Sequence, residues 1–241
     1  MQDGGRKEMP MYDVIYNGIR SSDMRILVKE RPNIPAPKKK YTTIEAAGMD
    51  GSLIEDDGTY EDIVIPIKFN YIANQDAWAD IFRKAKKWLF SSGNSELIMS
   101  DDPDYFYKVK KVDIGENERT TLRIGNFEAL FLCDPYQYVT YGTKTHRMEE
   151  VEFNHFEISH PKYIISGNGV CELKVNGKTV TIIIDDYITV DTDRMLAYKD
   201  DVLYNPNLKG EYEDLYLMPG LNVLNATEGF DVKVIPNWRC L

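Results

Sequence analysis

The chain has 241 residues, of which 43% are hydrophobic and 12% aromatic, and its formal net charge is −10. This much apolar surface can fill a sizeable core, which argues against a long disordered protein. The acidic excess argues against a nucleic-acid-binding protein, because phosphate binding relies on clustered Lys and Arg. Since compact domains usually have about 100 to 150 residues, the length predicts two of them.

The cysteines and the apolar runs bear on where the protein works. Cys133, Cys171 and Cys240 are too scattered for a disulfide framework and form no CxxC pair for zinc, which predicts a reducing compartment. No signal peptide opens the chain, and its apolar runs are far shorter than the ~20 residues of a membrane span. We therefore expect a soluble protein made in the cytosol, with a frayed leader at residues 1–10 and no membrane partner.

Short strands and turns open the first half of the sequence. Tyr12–Tyr16, the turn dipeptide Asn17-Gly18 and Arg25–Lys29 together predict a hairpin. The stretch 31–40 contains three prolines and three lysines. Because proline supplies no backbone donor, this stretch predicts a loop or a protruding arm.

One segment has helical periodicity. At 100° per residue, the apolar residues of segment 74–90 fall on one stripe of about 120°, whereas basic residues occupy the other face. Asn74 can cap the first turn, and Asp76 lies near the positive end of the helix dipole. We predict an amphipathic helix that packs on a sheet through Trp78, Ile81, Phe82, Ala85, Trp88 and Leu89.

Strands flank this helix on both sides. Residues 41–71 are rich in β-branched and aromatic side chains, and Pro66 among them indicates an edge strand or a bulge. Further strands are predicted at 96–100, 105–114 and 120–132. Cys133–Tyr136 then breaks the pattern. We place a domain boundary near residue 140, between an N-terminal domain 1–140 and a C-terminal domain 141–241.

The second half of the sequence is almost wholly β. Strands are predicted at 151–159, 163–166, 170–175, 178–184, 187–191, 196–198, 215–218, 221–226 and 230–235. Gly167-Asn168-Gly169 and Asn176-Gly177 are predicted turns between them. Many short strands at close spacing are typical of an antiparallel sandwich or a jelly roll, so the fold class is mainly β.

The histidines form no recognisable catalytic or metal pattern. His155 and His160 stand in sequence that predicts a strand, where their spacing points them to opposite faces, and His146 lies further away. A surface role is therefore favoured for all three. No nucleophile motif, zinc motif or phosphate-binding loop is present in the sequence. We predict that the protein is not an enzyme, and we assign no catalytic, cofactor-binding or metal residue.

Charged clusters have ordinary explanations beside functional ones. The acidic clusters at 55–57, 101–104, 185–193 and 211–214 stand beside turns or strand ends, where solvated Asp is common; calcium binding or paired-carboxylate catalysis is the alternative. The run Lys38-Lys39-Lys40 indicates a solvated loop tip, with contact to nucleic acid or to an acidic partner as the alternative.

Ordered segments along nearly the whole chain resemble one known family. They are Tyr12–Gly18, Asp23–Val28, Gly48–Gly51, the strand Ile63–Tyr71, the tryptophan-bearing helix, Phe131–Tyr138 with its Asp-Pro-Tyr, Met218–Leu224 with its Pro-Gly-x-Asn, and Ile235–Leu241 with its Pro-x-Trp-Arg. In order and spacing these segments are similar to the distal tail proteins of bacteriophages with long non-contractile tails.

The resemblance implies a structural protein of the virion tail tip, made in the cytoplasm of the bacterial host from a phage or a prophage. Family members form hexameric rings through a β-rich N-terminal domain and carry a C-terminal galectin-like β-sandwich. The ring links the tail tube protein to the tail-tip hub or fibre protein, and DNA only passes through it. The proline-rich arm and Tyr41–Ile54 are then expected to reach a neighbouring subunit.

A carbohydrate-binding module is the alternative hypothesis. Sandwich domains often bind sugars on exposed aromatic faces, and a host glycan would be the ligand in attachment to the cell surface. The candidate residues are Tyr198, Tyr204, Tyr212 and Tyr216.

Overall fold

The computed structural model describes residues 12–45, 47–48, 50–74, 77–121 and 123–241. The chain divides into two compact units, Met1–Tyr136 and Gln137–Leu241. The protein is mainly β, and one α-helix is present in the described residues, so the predicted fold class is confirmed. The predicted leader 1–10 and Asp76 lie outside the described residues.

The first unit is built on one antiparallel sheet. Its elements are β1 (Val14–Tyr16), β2 (Ile19–Arg20), a 3-10 turn (Ser22–Met24), β3 (Ile26–Val28), β4 (Lys39–Ile44), β5 (Leu53–Tyr60), β6 (Ile63–Ile72), α1 (Trp78–Leu89), β7 (Glu96–Met99), β8 (Asp102–Ile114), β9 (Glu118–Arg119) and β10 (Ile124–Val139), which continues into the second unit. The strand order is β2-β1-β7-β8-β10-β6-β3, with β9 added to β10. Strands β4 and β5 form a separate two-stranded sheet.

The core of the first unit lies between the sheet and α1. Alternate residues of β6 are buried, as a strand with one face on a core requires. The predicted stripe of α1 packs against them, and the indole nitrogen of Trp88 donates a hydrogen bond to the backbone oxygen of Tyr16 at 3.0 Å. The helix begins at Trp78, and Asn74 does not cap it with its side chain. Instead the backbone oxygen of Asn74 accepts a bond from the amide of Ala77.

The opening hairpin has a different second strand from the predicted one. Asn17 and Gly18 both have positive φ, 53° and 75°, so the chain reverses within two residues. The returning strand is therefore β2, which pairs with β1. Residues 25–29, predicted to return, contain β3, which pairs with β6.

A buried carboxylate ties this hairpin to the 3-10 turn. Asp13 is 5% exposed and accepts hydrogen bonds from the hydroxyls of Ser21 and Ser22 and from the amides of Val14 and Ser22. Burial alone would raise the pKa of Asp13, but these hydrogen bonds together lower it below the ordinary value of 3.8.

We expect Asp13→Asn to lower the free energy of unfolding at neutral pH by about 1 to 3 kcal/mol, because donors are left facing a weaker acceptor. Since the folded-state pKa is depressed, the stabilisation is complete above the unfolded-state pKa and is lost as the pH falls through the folded-state value. Urea unfolding from pH 7 to pH 3 measures both effects. Equal pH dependence in the wild type and in Asp13→Asn would contradict the assignment.

Pro66 and Pro135 both lie within long paired strands. The predicted break at Cys133–Tyr136 is wrong: β10 runs through it, because Cys133 still pairs with Ile63 and Gln137 pairs with Cys240. Pro66 pairs with Leu130 in the part of β6 that β3 does not reach, so its predicted edge position is confirmed for that half of the strand.

The second unit is almost entirely strand. It contains a 3-10 turn (Thr140–Thr143), β11 (His146–Arg147), β12 (Val151–Asn154), β13 (Lys162–Val175), β14 (Lys178–Asp191), β15 (Leu196–Lys199), β16 (Val202–Leu203), a 3-10 turn (Asn205–Asn207), β17 (Leu208–Lys209), a 3-10 turn (Tyr212–Leu215), β18 (Gly220–Ala226), β19 (Asp231–Ile235) and β20 (Arg239–Cys240). Strand β20 pairs with residues 137–138 at the end of β10.

The long hairpin β13–β14 organises this unit. The first part of β13 pairs with β19 and its last residues pair with β18, while β14 pairs with β17 near its start and with β15 near its end. Gly167-Asn168-Gly169, predicted as a turn, lies inside β13 where the neighbour changes. The two glycines have φ of 149° and 116° there, so they permit an irregular backbone without ending the strand.

Candidate functional site

The β4–β5 hairpin is the most exposed regular element of the first unit. All residues of β4, and all of β5 except Tyr60, are exposed, and the hairpin pairs with no other strand in the described chain. Four of these exposed residues are large and apolar: Tyr41, Ile44, Leu53 and Ile54, the last with 69% of its surface accessible. An isolated two-stranded hairpin is marginal in water, so this one is expected to be stabilised by contact with another surface.

Internal bonds fix the geometry of this hairpin. The ammonium group of Lys39 lies 2.8 Å from a carboxylate oxygen of Asp56, and the Thr42 hydroxyl donates to Asp57 at 2.8 Å. The Lys39 bond lowers the pKa of Asp56 and raises that of Lys39. Both side chains are exposed, so this pair orients the strands more than it stabilises them.

Both faces of the hairpin carry apolar side chains. Ile44 and Leu53 are cross-strand partners and share one face, whereas Tyr41 and Ile54 alternate with them and share the other. The proline-rich residues 31–38 lead into β4 without regular structure. Lys39 and Lys40, predicted at a loop tip, are in β4. Of the predicted turn Gly48–Gly51, both glycines have positive φ and Met49 lies outside the described residues.

The three histidines lie in separate surroundings. His146 binds Glu152 at 2.7 Å, and the ring of His155 packs on Phe153. His160 is half-buried: it stacks on Tyr216, and its ring nitrogens lie within hydrogen-bond distance of Asp193 and Arg239. The prediction that His155 and His160 sit on opposite faces of a strand is wrong, because β12 ends at Asn154.

The acidic clusters are engaged with basic side chains. Asp56 binds Lys39, Asp101 lies 3.5 Å from Arg31, Asp191 binds Lys162, Asp186 binds Lys199 and Asp214 binds Lys178. Asp185 and Asp186, predicted beside a turn, lie inside β14. Within the described residues, no three His, Cys, Asp or Glu side chains are grouped to hold a metal ion.

The thiols form no disulfide, and the helix in the described ranges is short. All three cysteines are free, and burial raises the pKa of Cys133 to about 12, so its thiol stays protonated. The α-helix in the described part of the chain is not long and apolar enough to cross a bilayer.

The tyrosines proposed as a sugar platform are only partly accessible. Tyr198, Tyr204, Tyr212 and Tyr216 are all half-buried. The ring of Tyr216 is stacked 4.1 Å from the ring of His160, and the hydroxyl of Tyr212 bonds to Asn205. The face of the Tyr216 ring that packs on His160 is therefore not available to stack on a sugar.

Comparison with known proteins agrees with the resemblance found in the sequence. A family model described as the phage tail protein RIFT-related domain matches residues 16–133. The crystal structure of SPP1 Dit (gp 19.1), described as a paradigm of the hub adsorption apparatus in phages that infect Gram-positive bacteria, superposes with a TM-score of 0.63 at 15% identity. That likeness covers 96% of this chain and 100% of the Dit chain. No curated protein sequence matches the chain.

The two comparisons cover different lengths of the chain. The likeness to Dit concerns the fold of nearly the whole chain, because its identity is too low to carry function. The family model concerns the first unit and contains the exposed hairpin. Residues 16–133 thus match the phage tail protein RIFT-related domain, and nearly the whole chain has a fold like that of SPP1 Dit, in agreement with the resemblance found in its sequence.

Proposed function

We propose that the protein is the distal tail protein of a phage with a long non-contractile tail. Its copies form a hexameric ring at the tail tip, which joins the tail tube protein to the hub or fibre of the adsorption apparatus. The observation that carries this proposal is the exposed β4–β5 hairpin within a phage tail domain. Such a hairpin needs a second surface, and identical neighbours in a ring supply one to every copy.

Ring closure also explains how the hairpin avoids uncontrolled association. A head-to-tail contact that closes on itself leaves no copy with an uncovered edge, whereas an open one grows into a filament. The apolar side chains on both faces of the hairpin suit insertion between two surfaces of neighbouring copies. The first unit is therefore the ring-forming domain in this proposal, and it corresponds to the N-terminal domain 1–140 predicted from the sequence.

The second unit is the peripheral domain in this proposal, a galectin-like sandwich that corresponds to residues 141–241. Its role is structural, and neither unit carries out catalysis. The net charge of −10 suits a conduit, because DNA that passes through the ring is repelled by acidic walls and does not adhere. The protein is made in the host cytoplasm and works at the tail tip of the virion.

The mass of the full chain in solution tests the proposal. We expect light scattering and native mass spectrometry to detect a hexamer, alone or after addition of the tail tube protein. Electron micrographs of that species are expected to show a six-fold annulus with a hole wide enough for duplex DNA. A monomer that stays monomeric with the tube protein present would overturn the proposal.

A further inference from the structure

The paired segments 151–154 of β12 and 220–223 of β18 have an inverted distribution of polar and apolar side chains. In most half-buried strands the apolar side chains face the core and the polar ones face water. Here Asn154 and Asn222 are the fully buried residues of the paired segments 151–154 and 220–223, while the apolar side chains point outward. Both the buried amide side chains and the exposed apolar side chains are therefore unusual for a half-buried sheet.

The buried asparagines make a rigid base. The amide nitrogen of Asn222 donates to the backbone oxygens of Met218 and Gly220, and its side-chain oxygen accepts bonds from the Met218 amide and from Asn176. Asn154 donates to the backbone oxygens of Glu157 and Leu217. With these polar groups satisfied, the inner face is held in place and the outer face is preorganised.

The outer face is a compact apolar surface, which we call the β12–β18 face. It consists of Val151, Phe153, Leu221 and Val223, all between 48% and 60% exposed. Val151 pairs with Val223 and Phe153 pairs with Leu221, so the four side chains form two adjacent cross-strand pairs. Apolar groups in register on a rigid sheet indicate a binding surface more than scattered exposed residues do.

One edge of β12 is unpaired. The Glu150 oxygen accepts a bond from the Leu224 amide, so in this antiparallel ladder residues 150, 152 and 154 direct their backbone groups toward β18. Val151 and Phe153 direct theirs the other way, and in the described chain β12 pairs with no strand except β18. An incoming strand can therefore bond to this edge.

Acidic residues beside the β12–β18 face indicate that its partner is basic. Glu149 and Glu150 directly precede β12, are exposed, and make no ion pair with a described residue. A lipid surface would leave the backbone edge without hydrogen bonds, and a second copy would bring the same acidic residues and a net charge of −10. Both the edge and the charge favour an extended polypeptide with Lys or Arg beside its apolar residues.

We propose that the β12–β18 face and the free edge of β12 bind an extended segment of a partner protein, apolar at alternate residues and flanked by basic residues. The segment adds as a strand beside β12, so its apolar side chains lie next to Val151 and Phe153. This inference is independent of ring formation, since it concerns the second unit alone.

The experiment uses the full chain and a labelled synthetic peptide in which Val alternates with Thr between Lys pairs. Matched peptides have Glu in place of Lys, or Pro in place of the central Thr. By fluorescence anisotropy we expect saturable binding of the Lys peptide, about tenfold tighter than that of either matched peptide. Hydrogen exchange is expected to slow at the amides of Val151 and Phe153 on binding.

Variants locate the binding. Phe153→Ser and Leu221→Ser are each expected to weaken binding of the Lys peptide by about tenfold or more, with an unchanged melting temperature because both residues are exposed. Val170→Ser, on β13 and 57% exposed, is the matched control and is expected to bind normally.

Two groups of results would overturn the inference. The first is equal binding of the three peptides, or binding that Phe153→Ser and Leu221→Ser leave unchanged. The second is a different occupant: self-association of the chain, or binding to an immobilised glycan, that is lost in both variants and kept in Val170→Ser. A monomeric chain that binds the Lys peptide at this face would support it, even if no ring forms.

Discussion

The Ile54→Glu variant is expected to remain monomeric where the unchanged chain assembles, with a melting temperature within about 2 °C of it. Ile54 is the most exposed apolar residue of the β4–β5 hairpin, so a charge there costs the free subunit almost nothing. In the ring the same charge would be buried without a partner, which costs several kcal/mol at each of the repeated contacts. Light scattering together with thermal unfolding measures both quantities.

Val170→Glu supplies the control, because Val170 is similarly exposed but lies in the second unit. We expect this variant to assemble normally. If both variants fail to assemble, the effect comes from added negative charge in general. If Ile54→Glu assembles like the unchanged chain, the hairpin does not close the ring and another surface of the first unit must do so.

Gly125→Ala is expected to lower the free energy of unfolding of the first unit by about 3 kcal/mol or more. Gly125 on β10 faces Tyr71 on β6, and a Cβ atom at residue 125 would lie 2.2 Å from the ring carbon Cζ of Tyr71. The Tyr71 ring is fully buried and its hydroxyl donates to Asn117 at 3.0 Å, so it has no space into which to move. Chemical denaturation measures the loss.

A double-mutant cycle shows whether this contact is the cause. In a Tyr71→Ala background the ring is absent, so Gly125→Ala is expected to cost less than about 1 kcal/mol. Gly115→Ala is the matched control, since a Cβ there meets nothing closer than 3.4 Å. Equal costs of Gly125→Ala in both backgrounds would mean that a contact other than the tyrosine ring sets the requirement for glycine.

The parts of the fold predicted correctly are those with a strong local pattern. The stripe of α1 repeats every three to four residues and was placed correctly, although the helix begins at Trp78 and the Asn74 side chain does not cap it. The turn Asn17-Gly18 was likewise found, since two residues of positive φ have few alternatives. The strand that follows the turn was assigned wrongly. Residues 25–29 were predicted to pair with β1, but β3 pairs with β6, a long-range contact without a local signal.

The errors occur where pairing between distant strands decides the structure. Asp134-Pro135 and Gly167-Asn168-Gly169 have the composition of turns, yet both lie within long strands that are paired with other strands before and after them. The β12–β18 face was missed for a related reason. Alternation of apolar and polar residues was visible there, but alternation does not reveal which face is buried, and the hydrogen bonds of Asn154 and Asn222 reverse the usual order.

Strands β13 and β14 each pair with two further strands along their length, and this arrangement determines how the second unit unfolds. Strand β19 cannot detach with its half of β13 unless the other half, bonded to β18, also yields, because both halves are one continuous backbone. A single cooperative transition is the consequence, in place of stepwise loss of separate layers. A protease that attacks this unit therefore finds no stable fragment to leave behind.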